Sequence, residues 1–172
     1  GDIHKLLPDE IPTVALATAS FPCNDLLLAG GREGLQGANS SAFWGFIKIL
    51  RNMEMRRPPL VLIENVPGFL TSTSGRDFED AMLALNDLGY TVDPFILDAA
   101  WFVPQSRQRL FVVGLKQDPK AAETIQERFF ESRVRPHALA DFIFSHPDIN
   151  WGIRPLPEPP WGGWVLDDLL ED

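Results

Sequence analysis

Val14-Ala15-Leu16-Ala17-Thr18-Ala19-Ser20-Phe21-Pro22-Cys23-Asn24-Asp25 decides how this chain is read. The apolar run Val14 to Ala19 predicts a buried strand. It stops at Phe21-Pro22-Cys23, where proline fixes φ and offers no amide hydrogen, so the strand gives way to a loop. The one cysteine in 172 residues is thereby set at the carboxyl end of a strand, where open α/β sheets bind their ligands. A thiol so placed becomes a nucleophile once a neighbour lowers its pKa or takes its proton. A lone cysteine also reads as a small buried hydrophobe, and the stretch by itself leaves both readings open.

Outward from this point, strands alternate with helices. Residues 4–13 hold two prolines and predict a connection with a short helical turn. Residues 26–37 carry four glycines and predict a mobile loop. Asn39-Ser40-Ser41 can cap a helix from Ala42 to Met55, with Phe43, Phe46, Ile47 and Leu50 on its buried face. Leu60-Val61-Leu62-Ile63 is a continuous apolar run, which predicts a central parallel strand covered on both faces. A polar loop, Thr71 to Gly75, leads to an amphipathic helix from Arg76 to Leu88 that closes at Gly89. Tyr90–Leu97 and Leu110–Leu115 are two more strands. Residues 119–135 predict a charged helix. From Pro136 the pattern breaks into a Pro/Trp-rich linker or strap, and Val165–Asp172 starts a further helix or the edge of a next domain. The repeated order of strand, loop, helix and strand predicts an α/β sheet.

The composition narrows the function. With 45% hydrophobic residues the chain can bury one core. One cysteine excludes an internal disulfide and suits a reducing compartment. No apolar run reaches the roughly 20 residues of a membrane span. The net charge is −9; residues 117–172 hold 5 basic and 11 acidic side chains, against 10 and 13 before them. A nucleic-acid surface should be basic, so any phosphate-binding surface is expected to lie elsewhere. The opening Gly1-Asp2-Ile3-His4 has no initiator Met and predicts a piece of a longer chain.

Three strand ends carry chemistry. Glu64 directly follows four aliphatics, a costly place for a carboxylate unless it is paired or used. Gln105, Arg107 and Arg109 alternate, so on an extended chain they share a face. Two guanidiniums on one face bind an oxyanion, a carboxylate or base-edge acceptors, or simply form surface ion pairs. Asp2 sits where a strand end could offer its carboxylate to a ligand, or fray into solvent.

Together these pieces resemble the DNA (cytosine-5) methyltransferases, especially bacterial ones. Phe21-Pro22-Cys23 looks like their Pro-Cys motif, Glu64-Asn65-Val66 like their Glu-Asn-Val motif, and Gln105-Ser106-Arg107-Gln108-Arg109 like their Gln-x-Arg-x-Arg motif. Gly1-Asp2-Ile3 resembles the short motif at the cofactor adenine. The resemblance covers residues 1 to about 116 in order. It implies a partial Rossmann-like methyltransferase sheet, the C-terminal half of a catalytic domain, with 1–116 as core. Residues 117–172 would then lead towards a target recognition domain. It implies S-adenosylmethionine as methyl donor, a flipped-out cytosine of double-stranded DNA as substrate, no metal, and the bacterial cytoplasm as the place of action.

The same resemblance assigns roles. Cys23 would add to carbon 6 of cytosine, making carbon 5 nucleophilic. Glu64 would hold N3 and the exocyclic amine, Arg109 the O2, and Arg107 would support the site electrostatically. Asn65 would brace the Pro-Cys loop, with Asn24 and Gln105 supporting substrate and loop. Asp2 would accept from the adenine amine, and Ile3 and Pro22 would line that pocket. Two other readings stand beside this one: an RNA cytosine-5 methyltransferase with the same thiol and carboxylate, and a non-catalytic or split subunit completed by a second chain.

Overall fold

The computed structural model describes residues 2–21, 41–116 and 132–160. Four strands form one sheet in the order β1-β2-β4-β3: Leu16–Ser20 (β1), Leu60–Asn65 (β2), Tyr90–Asp98 (β3) and Gln108–Lys116 (β4). Three helices accompany them, Ser41–Asn52 (α1), Arg76–Asp87 (α2) and His137–Ser145 (α3). β1 runs parallel to β2, as a connection containing α1 allows, while β4 runs antiparallel to β2 and β3. Only residues 99–107 join β3 to β4, too few for a parallel crossover. The α/β sheet expected from the sequence is therefore mixed.

Strand alternation sorts the faces. Val61 and Ile63 of β2, Leu110 and Val112 of β4, and Tyr90, Val92 and Ile96 of β3 turn to one core. Phe43, Phe46, Ile47 and Leu50 of α1 join it, as do Phe78, Ala81, Met82 and Leu85 of α2. A Cβ on Gly114 would lie 2.4 Å from Val61 Cγ2, so glycine is what lets β4 and β2 approach here. An aromatic chain runs through this core: Phe21 meets Phe43 at 5.3 Å and Phe69 at 5.6 Å, and Phe69 meets Phe78 at 5.4 Å between ring centroids. Burial of Phe21 contributes roughly 2 kcal/mol and pins the backbone where it leaves for Pro22 and Cys23.

Several expectations need correction. β1 is not buried: it lies at the end of the described sheet and leaves Leu16 47% exposed. β2 is inner, but only alternate residues are buried, and it extends through Glu64 to Asn65. The loop Thr71 to Gly75 is part of a kinked 3-10 segment, Pro67–Gly75, in which Asp77 of α2 accepts hydrogen bonds from Ser72 Oγ and from Thr73 Oγ1 (2.8 Å). Residues 132–135 are a bend rather than the end of a helix, because the residue before a proline disfavours the α region. The chain does not stay irregular after Pro136. That proline takes the N-cap position of α3, whose Leu139, Ala140 and Ile143 are buried. Residues 2–10 do form short turns, Ile3–Lys5 and Pro8–Glu10. The glycine-rich stretch 26–37 and residues 119–131 lie outside the described residues.

The strap reading of the C-terminal segment fits residues 150–152. Val92 N donates to Asn150 O (3.1 Å) and Gly152 N to Val92 O (2.9 Å), so this segment occupies the outer edge of β3. Trp151 is buried and donates from Nε1 to His146 O at 2.8 Å. No helix among the described residues is long and apolar enough to cross a membrane.

Candidate active site

The carboxyl ends of β1 and β2 and the start of β4 meet at one end of the sheet. Ser20 and Glu64 face each other across the parallel pair, and Glu64 faces Phe111 across the antiparallel pair. Arg109 lies two residues before Phe111 and so shares the face of Glu64 as a diagonal neighbour. The register brings three polar side chains together. Arg109 Nε meets Glu64 Oε1 at 2.7 Å, and Ser20 Oγ donates to Glu64 Oε2 at 2.5 Å. Arg109 Nη1 donates to Gln108 O at 2.7 Å. The Arg109 and Glu64 side chains stay 23% and 31% exposed. The pair is thus fixed by the protein and open to a ligand.

Asn65 turns to the opposite, buried face. Its Oδ1 accepts from Val66 N at 2.8 Å, while its buried Nδ2 finds no hydrogen-bond partner among the described residues. An unmet buried donor costs roughly 1–3 kcal/mol and is uncommon in a native fold. Asn65 follows Glu64 as Phe21 follows Ser20 across the parallel pair.

The connection 99–107 carries Arg107. Asp98, the last residue of β3, organises it: Oδ1 accepts from Ala100 N (3.0 Å) and Arg107 N (2.8 Å), and Oδ2 from Ser106 Oγ (3.1 Å). The Ala100 amide leads in holding the Asp98 carboxyl below the usual carboxylate range, against the push of burial; Arg107 N and Ser106 add to it. Arg107 O accepts from Ala99 N at 3.2 Å, so its backbone is tied at both polar groups while its side chain is exposed. Gln105 is exposed in a turn, with its amide on Val103 O at 2.7 Å. The strand begins only at Gln108, so the expected alternation on an extended chain does not reach back to Gln105 and Arg107.

Asp2 caps the turn Ile3–Lys5 instead of ending a strand. Its Oδ1 accepts from His4 N (3.0 Å), and Oδ2 lies 3.9 Å from Lys5 Nζ. Ile3 packs against α1: a Cβ on Gly45 would lie 2.8 Å from Ile3 Cγ2. A half-exposed carboxylate beside an apolar side chain fits an adenine amine and ring. Pro22, Cys23 and Asn24 lie outside the described residues.

Of the residues singled out in the sequence, Glu64 and Arg109 are thus in contact, and Asn65 and Arg107 are their near neighbours in the chain. Two participants were missed. Ser20 shows itself only through its register opposite Glu64. Asp98 carries the signal that Glu64 carries, an acid directly after an apolar strand.

Known proteins resemble this chain in sequence and in fold. Residues 1–152 match the family described as C-5 cytosine-specific DNA methylase. The type II methyltransferase M2.BsuMI of Bacillus subtilis (strain 168) is 39% identical over 122 residues, covering 69% of this chain and 31% of that protein. The type II methyltransferase M2.ScrFI of Lactococcus lactis subsp. cremoris is 35% identical over 191 aligned positions, covering 99% of this chain and 50% of that protein. The chain therefore spans about a third to a half of the length of these relatives. Among solved structures, the S. pombe Dnmt2 methyltransferase superposes with a TM-score of 0.53 at 23% identity, over 77% of this chain and 46% of that one. The Entamoeba histolytica methyltransferase EhMeth gives 0.54 at 17% identity, over 77% and 44%. These likenesses identify the sheet as part of a Rossmann-like methyltransferase fold, and the chain belongs to the C-5 cytosine-specific DNA methylase family.

Proposed function

We propose that the protein methylates carbon 5 of cytosine in double-stranded DNA through a covalent adduct at Cys23. The observation that carries this reading is the Glu64–Arg109 pair, partly exposed at the sheet end where buried Phe21 leads directly to Pro22 and Cys23. The base must leave the duplex to reach it.

The Cys23 thiolate forms a bond to carbon 6 as the Glu64 carboxyl gives its proton to N3, which leaves carbon 5 as the nucleophilic end of an enamine and Glu64 as a carboxylate. Glu64 offers a carboxyl edge to N3 and the exocyclic amine. Arg109 turns its fork towards O2, where negative charge gathers, and Arg107 adds positive potential. Asn65 spends its unmet Nδ2 donor on the Pro-Cys loop, supported by Asn24 and Gln105. S-adenosylmethionine, when bound, supplies an electrophilic methyl group; Asp2, Ile3 and Pro22 are the residues of this chain that would hold its adenine. After methylation, loss of the carbon 5 proton to a base breaks the sulfur–carbon bond and returns Cys23.

Residues 1–116 form part of the catalytic core in this reading, and 117–172 lead towards target recognition. The relatives' greater length supports that division. The charge of −9 agrees, since phosphate contacts would fall on segments outside these residues or on a second chain. The type II relatives support action as the modification half of a restriction–modification pair, in bacterial cytoplasm. The test is transfer of labelled methyl from S-adenosylmethionine to duplex DNA and to tRNA. Label at carbon 5 of DNA cytosine is expected. Label on tRNA alone would replace the substrate, and label on neither would remove the activity.

A further inference from the structure

Ser20 has no part in the roles assigned above, yet among the described residues it is one of two side chains that hold the Glu64 carboxylate. β2 is flanked by β1 on one side and β4 on the other. Each flanking strand sends one donor to a different oxygen of Glu64: Ser20 Oγ to Oε2 at 2.5 Å, and Arg109 Nε to Oε1 at 2.7 Å. The terminal torsion of a glutamate is broad and roughly two-fold. One contact would leave the carboxyl plane free to turn about it, whereas donors on both oxygens from opposite sides fix that plane.

We propose that Ser20 is a positioning residue for methyl transfer, setting the plane in which Glu64 meets the flipped cytosine. The proposal rests on the activity stated above. The Ser20 hydroxyl need never touch the base. Its register opposite Glu64, three residues before Cys23, ties the carboxylate's orientation to the strand that delivers the thiol. A carboxylate accepts more than one hydrogen bond per oxygen, so Glu64 can keep both donors while it engages N3 and the amine. Misplacing a group that must meet two atoms of the base slows the chemical step more than binding.

The test compares Ser20→Ala, Ser20→Thr and Glu64→Gln with wild type in the full-length protein, measuring kcat and KM for duplex DNA. Glu64 side-chain carboxyl resonances are followed by 13C NMR in wild type and the two Ser20 variants. Ser20 is exposed, so its truncation leaves the fold intact. Ser20→Ala should lower kcat roughly 10- to 100-fold, the worth of a hydrogen bond to a charged group, with KM unchanged and the Glu64 resonance moved. Ser20→Thr keeps the hydroxyl and should restore both. If Ser20→Ala turns over at the wild-type rate while Glu64→Gln is dead, Ser20 has no such role and the methyl-transfer reading stands. Equal losses in Ser20→Ala and Ser20→Thr would likewise overturn it, since the hydroxyl would not be what matters. If wild type transfers no methyl to DNA, the activity falls and the proposal falls with it.

Discussion

Two carboxylate–guanidinium pairs share one face of the sheet and differ in how far water reaches them. Asp93 of β3 meets Arg135 at 2.6 Å with side chains 11% and 2% exposed; Glu64 of β2 meets Arg109 at 2.7 Å with side chains 31% and 23% exposed. The sealed pair is held by several further hydrogen bonds. Arg135 also donates from Nε to Pro94 O (3.2 Å) and from Nη2 to Arg154 O (2.9 Å), and Asp93 Oδ2 accepts from Arg154 N (3.1 Å). This clamp binds β3, the bend before α3 and the C-terminal strap. Burial pushes the Asp93 carboxyl above its ordinary range, and the Arg135 charge opposes that push. Among the described residues the open pair has two protein contacts on its carboxylate, and it keeps a wet face. The same chemical pair is thus sealed as a structural clamp on the outer strand β3 and left open to solvent between the inner strands β2 and β4, where the proposed reaction would use it.

Breaking the clamp should have the largest effect on stability. Arg135→Ala leaves a buried carboxylate without its countercharge and is expected to cost about 3–5 kcal/mol, read by denaturant unfolding. Replacing both partners, Asp93→Leu with Arg135→Met, should recover most of that loss, because desolvation of the pair offsets much of its attraction. A double variant as unstable as Arg135→Ala would contradict the clamp as described.

Asp98→Ala comes next, at roughly 1–3 kcal/mol, since three donors lose one shared acceptor. Its pH dependence separates it from packing. The folded Asp98 carboxyl lies below its unfolded value of about 3.9. Its contribution is therefore full above that value and fades as pH falls through the lower folded one. Thermal unfolding of wild type and Asp98→Asn should differ by a constant amount near neutrality, and the difference should shrink in acid.

Tyr90→Phe is expected to cost about 1 kcal/mol, the worth of the hydrogen bond from Tyr90 OH to Pro58 O at 2.7 Å. Burial pushes this phenol up to about 12, with Arg57 opposing, so spectrophotometric titration should show it un-ionised below that pH. Smallest in stability are Glu64→Gln and Arg109→Ala, each within about 1 kcal/mol as for other solvated pairs. Their methyl transfer should nonetheless fall by at least roughly a hundredfold. A large unfolding penalty from either would move this pair to the structural side of the comparison.

Much of this was legible in the sequence because it is local. The apolar runs of β2 and β4, the 3-4 spacing of α1 and α2, and the acid after Leu60-Val61-Leu62-Ile63 all sit within a few residues of one another, whereas the alternating burial of β2 does not show in its unbroken apolar run. What was not legible depends on register. Nothing near Ser20 announces Glu64, 44 residues away, and nothing near Arg135 announces Asp93, 42 residues away. β1 was read as buried because its residues are apolar, but burial belongs to the neighbours, and among the described strands β1 has one. α3 is hidden in the sequence because Pro136 reads as a break, although a proline ahead of the first turn suits a helix start.

The most direct test is covalent trapping. The protein, alone and joined to the flanking segments of a type II relative, is mixed with S-adenosylmethionine and duplex DNA carrying 5-fluorocytosine, and adducts are weighed by mass spectrometry. Fluorine at carbon 5 prevents the final proton loss, so the thiol should remain bonded to the base. The expected result is an adduct that maps to Cys23 and disappears in Cys23→Ser. No adduct in either form of the protein would contradict the account: the open pair would then be no more reactive than the sealed one.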